Sequence, residues 1–406
     1  MLLFLHPLGL HSMKRLFILL TLLCTFTLSW AQLNLSDSLQ ISLLTVSPGE
    51  EAYSCFGHTG IRIKDLRSRQ DIVFHYGVYN YSEPHFIWHF VLGECNYMMG
   101  GVYTSHFLAE NQEKKLNVTE QVLRLDSTQT SSLVGALLEN YRPQNRNYRY
   151  NYFFDNCSTR PFSIFNKWID IQYDTTWVED VTLRDMVQEM TGRDTWLFFG
   201  ISMVIARRAD LPTSFTEQMF LPKYLCRALD HASVGNQPFV KERHIYPFGD
   251  SSTHTDAAFG WLNPTFICWF FLLIGGTLTW LSRRSKGTRD TWRKALLAYD
   301  ITWLVATGIA GCIAWFLNFF SLHPAVDNNI NCWWLLPTNL LFATIIGIKK
   351  AEKVRHIYFF IIFAAEFIYL LLLTQGQYCH PAFIPLLIVI ASRSFLGYIE
   401  SKHPSK

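Results

Sequence analysis

The sequence predicts an α+β domain outside the cell, followed by an all-α bundle of five transmembrane helices. Three observations carry this. The chain opens on a leader-like segment. Its first half alternates apolar and polar residues at the strand period. Its second half, from about residue 256, consists of long uncharged runs. The predicted organisation is a signal peptide over 1–31, an outer domain over 32–255, five helices over 256–400 and a cytoplasmic tail over 401–406.

The leader is best read from Met13. Lys14 and Arg15 precede the apolar run Leu16 to Leu28, and Ser29 and Ala31 stand at the −3 and −1 positions of a cleavage site. The outer domain is long enough to bury a core of its own. Its first strand is Ile41 to Val46. "SPGEEAYSCFGHTG" is a turn-rich loop, after which "HTGIRIKD" and "DIVFHYGVYN" alternate as two further strands joined by a hairpin. If that hairpin centres near Arg67-Ser68, Gly60 pairs with His75, and His58 and His75 lie side by side on one face. A one-residue slip would separate them. Ser127 to Tyr141 reads as a helix that ends before Pro143.

The stretch "YFFDNCSTRPF" then enters a second helix. Asp155 or Asn156 is expected to cap it, with Cys157 in the first turn. There the helix dipole favours thiolate over thiol, and unpaired N–H groups could hold an oxyanion. His58 is the candidate base for such a thiol, and His75 the first candidate to orient it. Glu50, Glu51 and Asp155 are alternatives for that third role. Pro161 predicts an irregular helix start. No G-x-S-x-G or H-E-x-x-H occurs, and no Cys/His spacing suits zinc, so neither a serine hydrolase motif nor a metal is expected.

The membrane half contains uncharged runs at Ala257–Ser282, Ile301–Val326 and Asn328–Ile348. Ile357–Thr374 is broken only by Glu366, and a last run spans Tyr378 to Gly397 with Arg393 near its end. Arg283, Arg284, Lys286, Arg289, Arg293 and Lys294 lie in the first loop, and Lys349, Lys350, Lys353 and Arg355 in the third. The second and fourth loops have no Lys or Arg, so the soluble domain faces outward. A net charge of +3 gives no nucleic-acid footprint. Glu366 reads as a carboxyl facing the bundle. Of nine cysteines, Cys24 leaves with the leader, while Cys332 with Cys379 and Cys55 with Cys95 are candidate disulfides.

A histidine on a strand, a second polar strand residue and then "NC" opening a later helix is the order of permuted papain-like enzymes, and resembles lecithin:retinol acyltransferase. More closely, "LLTVSPGEEAYSCFGHTGIRI", "FHYGVYNY" and "NRNYRYNYFFDNCSTRPF" resemble the periplasmic domain of the lipoprotein N-acyltransferase of Bacteroides-type bacteria. "HPAVDNNINCWWLLPTNLL" resembles its five-helix membrane domain. "NCATR" would be the commoner form at the cysteine, so Ser158 departs from the pattern. The resemblance implies a multi-pass inner-membrane enzyme without a cofactor. Its partners would be a phospholipid acyl donor and a diacylated lipoprotein acceptor. It would move an acyl chain through a thioester on Cys157, with His58 and His75 catalytic. Arg160, Arg207 and Arg208 are candidate phosphate ligands. The competing classes are an exported cysteine hydrolase (a phospholipase or a peptidoglycan peptidase) and a non-enzymatic envelope scaffold built around Glu366.

Overall fold

The computed structural model describes residues 38–79, 85–94, 96–249, 262–285 and 287–402. The leader, the junction at 255/256, Cys95 and the final tail residues 403–406 lie outside the described residues.

The outer domain runs β1 (Leu39–Val46), β2 (His58–Asp65), β3 (Asp71–Tyr79), α1 (Phe86–Leu92), β4 (Asn96–Tyr103), α2 (Thr104–Glu113), β5 (Val118–Leu123), α3 (Ser127–Tyr141), β6 (Asn147–Arg149) and α4 (Thr159–Trp168). It continues with β7 (Gln172–Tyr173), α5 (Leu183–Thr191), α6 (Trp196–Val204), α7 (Phe215–Gln218), α8 (Pro222–Asp230), β8 (Ala232–Val234), β9 (Gln237–Pro238) and β10 (Val240–Tyr246). Seven strands form one antiparallel sheet in the order β10-β5-β1-β2-β3-β4-β6. Helices cover both faces. Ile41, Leu43 and Ile61 meet the core shared with α3 and α4, whereas Leu44, Val46 and Val73 pack against Phe107 of α2. Burial on both sides encloses even the polar Ser42 and Thr45 of β1.

Register is pinned by a buried charge cluster. Arg62 on β2 donates to Asp71 on β3 at 2.8 and 2.5 Å, and to both oxygens of Glu120 on β5 at 3.0 and 2.9 Å. Tyr246 on β10 donates to Glu120 at 2.9 Å. One guanidinium fork therefore ties β2, β3, β5 and β10 together, and it stands four residues after His58 on the same face.

The membrane half contains α9 (Pro264–Arg284), α10 (Arg289–Phe320), α11 (Asn339–Ile345), α12 (Glu352–Leu373) and α13 (Phe383–Lys402). Four of these are long and apolar enough to span a bilayer: α9, α10, α12 and α13. The third expected span is not one long helix. Its 328–348 run forms a 3₁₀ turn at Ile330–Trp333, an irregular stretch through Pro337 and only the seven residues of α11. At 1.5 Å per residue α11 spans roughly 10 Å, far short of the hydrocarbon core. Proline removes a helical donor, and amide side chains satisfy the exposed backbone instead. Asn329 N donates to Asn318 Oδ1, Ile330 N to Gln377 Oε1 and Asn331 N to Asn329 Oδ1. Gly308 and Gly311 of α10 make room, since an added Cβ would lie 2.8 Å from Leu340 N and 2.7 Å from Leu335 O.

Charges inside the bundle are paired or enclosed. Arg393 of α13 donates to both oxygens of Asp300 on α10, at 2.8 and 2.7 Å, and both residues are buried. Glu366 is buried in the bundle, as read from sequence, and its Oε2 has no partner among the described residues. Cys55, Cys332 and Cys379 are free thiols, so the Cys332–Cys379 disulfide is not formed.

The outer domain sits on the loops of the bundle. The last carbonyls of α1, which no helical N–H can reach, accept from the loop after α10. Ser321 Oγ donates to Val91 O at 2.9 Å, Leu322 N to Leu92 O at 2.8 Å, and His323 Nε2 bonds Phe90 O at 2.6 Å. Arg149 donates to Gly93 O and Leu322 O across the same seam.

Candidate active site

β2 begins at His58 because Gly57 turns the chain with φ +75°, at a point where a Cβ would stand 2.7 Å from Val46 O. The expected register holds: Gly60 pairs with His75. His58 Nε2 and His75 Nδ1 are 3.1 Å apart and share one proton in a hydrogen bond, their rings edge to face at 5.3 Å. The His75 ring packs on Phe107 of α2. A β-bulge follows between His75 and Val78, with Gly77 at φ +88°. A Cβ on Gly77 would lie 3.3 Å from Cε2 of Tyr150 and 3.9 Å from Cβ of Cys157. The bulge thus makes the recess that seats the thiol and the Tyr150 ring together.

Cys157 is 7% exposed and precedes α4. Asn156 builds its turn. Its Oδ1 accepts from Ser158 N at 2.8 Å and Thr159 N at 2.9 Å, while its Nδ2 donates to Tyr152 O and Phe220 O. Asn156, one of the two residues expected to cap, thus holds the first N–H groups, but α4 starts at Thr159 with Ser158 at its N-cap, so Cys157 lies before the first turn and not in it as expected. Pro161 falls in the first turn of α4, where a missing N–H costs nothing. Thr59, the residue after His58, donates its hydroxyl to Cys157 O, and its backbone N–H pulls the thiol toward its charged form. Tyr150, which borders the same recess at Gly77, favours the charged form of the sulfur as well. Among the described residues, no hydrogen bond joins the His58 ring to the thiol. The cysteine meets β2 one residue away from His58.

Two further expectations about this turn are corrected. The Ser158 and Thr159 N–H groups expected to face an oxyanion are occupied by Asn156. The resting thiol is also not a thiolate, because burial outweighs the donors and pushes the Cys157 pKa up to about 11. Burial, then the neighbouring His75, holds His58 down to about 3, and burial lowers His75 too. Near neutral pH the site is a neutral thiol beside two neutral imidazoles. Alkylation of Cys157 by iodoacetamide is expected to be slow at about pH 7 and to climb as pH rises toward about 11. Mass spectrometry of the Cys157 peptide measures this; a rate already level below about pH 7 would reveal a thiolate–imidazolium pair instead.

The other sequence candidates separate. Asp155 is committed to Arg160, which donates to it at 2.6 and 2.8 Å and lies 3.5 Å over the Tyr148 ring. Arg208 pairs with Glu217 at 2.5 Å. Arg207 is exposed, with no ion-pair partner among the described residues. Its neighbour Asp210 binds the buried Arg184 instead. Glu50 and Glu51 are exposed in the loop before β2. Thr59 and Tyr150 went unremarked in the sequence. The available signal for Tyr150 was the Tyr148-Tyr150-Tyr152 alternation leading into the cysteine.

An outer sheet domain that holds a buried thiol and a hydrogen-bonded histidine pair, seated on a helical membrane bundle, defines a membrane-bound protein with a periplasmic N-terminal domain. Residues 26–189 match the family model described as the Lnb N-terminal periplasmic domain, and residues 255–404 match the Lnb transmembrane domain. The chain belongs to the Lnb family. Comparison with curated proteins and with solved structures gives no match.

Proposed function

We propose that the protein is a lipoprotein N-acyltransferase of the bacterial inner membrane, working through a thioester on Cys157. The observation that carries this reading is the Thr59 hydroxyl bond to Cys157 O, which ties the cysteine turn to β2 one residue from a histidine that hydrogen-bonds a second histidine. Family membership supports the reaction class. So does the chain order of histidine strand, histidine strand and cysteine turn, which is that of permuted papain-like enzymes.

In this reading His58 Nε2–H donates to His75 Nδ1, leaving His58 Nδ1 as the base. Sγ of Cys157 attacks the ester carbonyl carbon of a phospholipid as its proton passes to Nδ1. Neither group is charged beforehand, so proton transfer accompanies attack. In this reading the Thr59 N–H and Tyr150 O–H serve as the oxyanion donors. The ester C–O bond breaks, the lyso-lipid oxygen takes the proton from His58, and the acyl group remains as a thioester. The α-amine of a diacylglyceryl-cysteine attacks that thioester and loses its proton to His58. The sulfur leaves and recovers the proton, and an amide is formed. The membrane half keeps the site at the bilayer surface, where both lipid-anchored substrates reside.

Purified full-length protein given acyl-labelled phospholipid and a diacylated lipopeptide is expected to place label on the peptide amine. Label released only as free fatty acid, even with lipopeptide present, would make the protein a phospholipase. A chain that never acquires label on Cys157 would be neither.

A further inference from the structure

Aromatic rings link the thiol to the lipid-facing surface of the bundle. Tyr150, which shares the Gly77 recess with Cys157, stacks on Tyr97 at 4.5 Å and meets Tyr152 edge-on at 5.3 Å. Tyr152 meets His323 at 5.5 Å and Phe90 at 6.2 Å, and Phe90 meets His323 at 5.7 Å. On the same helix α1, Trp88 packs on Phe316 of α10, which continues to Phe320. Trp88 is 55% exposed and Phe320 66%. Phe320 ends the long apolar helix α10, so this surface belongs at the outer edge of the bilayer.

We propose that this rim of Trp88, Phe90, Tyr152 and His323 is the lead-in by which an acyl chain of an outer-leaflet phospholipid reaches Cys157. The inference rests on the reading of Cys157 as the acyl acceptor, and it assigns the rim as the determinant for a membrane-held donor. Continuity selects the occupant: the rings form one surface with the lipid-exposed end of α10. Chemistry agrees. An ester carbonyl brought to a buried sulfur must draw its chain out of the bilayer, and an exposed aromatic track keeps that chain from water. The side chains on the track are aromatic, and its imidazole is kept neutral: burial lowers the His323 pKa, and Nε2–H donates to Phe90 O. The contacts from Ser321, Leu322 and Arg149 fix α1 against the bundle, so the track has a defined course.

The test compares two acyl donors on the full-length protein in nanodiscs, without acceptor, following the Cys157 thioester by mass spectrometry. One donor is long-chain phosphatidylethanolamine in the disc; the other is water-soluble p-nitrophenyl butyrate. In the double variant Trp88→Ser with Phe90→Ser, the ratio of phospholipid to soluble-ester acylation should fall about tenfold or more, and Phe90→Leu should retain most of it. An unchanged ratio overturns the proposal, whether both rates persist or both fall together. If the unsubstituted protein forms no thioester from either donor, the reading of Cys157 fails and takes the lead-in with it. A thioester from both donors with an unchanged ratio in the variant sinks the lead-in alone.

Discussion

Replacing His58 with glutamine is expected to lower the rate of Cys157 acylation by about 10²- to 10⁴-fold, the usual contribution of one positioned acid–base group. Glutamine can still hydrogen-bond His75, so the strand pairing and the thermal midpoint should change little. The loss arises because Cys157 begins as a neutral thiol with its pKa pushed up to about 11. Without a base, attack depends on the small fraction of thiolate, and the residual rate of His58→Gln should rise with pH more steeply than that of the unsubstituted protein. Cys157→Ala, which removes the nucleophile, should leave no thioester. If His58→Gln acylates at the unsubstituted rate, the sulfur finds its base elsewhere, and the His58–His75 pair is a packing feature of the α2 face.

The largest expected effect on stability comes from Arg62. Arg62→Met removes the guanidinium shared by Asp71 and Glu120, and Glu120 is only 2% exposed. An uncompensated buried carboxylate costs about 3–5 kcal/mol, enough to lower the thermal midpoint of the full-length protein clearly. Adding Glu120→Gln removes the stranded charge and should recover part of the loss, which separates charge burial from lost packing. If Arg62→Met melts with the unsubstituted protein, the cluster does not hold the register. The same cluster matters to the site, because a slipped β2 would turn His58 away from His75.

Particular residues show how far the sequence could be read. The pairing of Gly60 with His75 followed from hairpin length and alternation alone, since the side-chain period of a strand is two and one loop fixes the phase. Asn156 was legible as a cap by residue type. The charge state of Cys157 was not, because helix position gave the favourable part and only packing gave the burial that outweighs it. Tyr150, just after β6, and Thr59 on β2 meet at Cys157 from positions some ninety residues apart, and no local pattern reports such a contact. Arg160 looked available for a phosphate, yet its partner stands five residues away in the chain, at Asp155.

The sequence by itself determined the division into an outer domain and a membrane bundle, the outward orientation and the phase of the histidine strands. Each of these depends on local hydropathy, charge or period. Tertiary structure alone decided that the third membrane segment breaks at Pro337, since hydropathy registers apolar length and is blind to amide side chains that replace helical hydrogen bonds. It also decided which groups meet at the cysteine and that an aromatic path joins it to the bundle. Those depend on distances between residues far apart in the chain, which burial of the shared core fixes only once the whole sheet has closed.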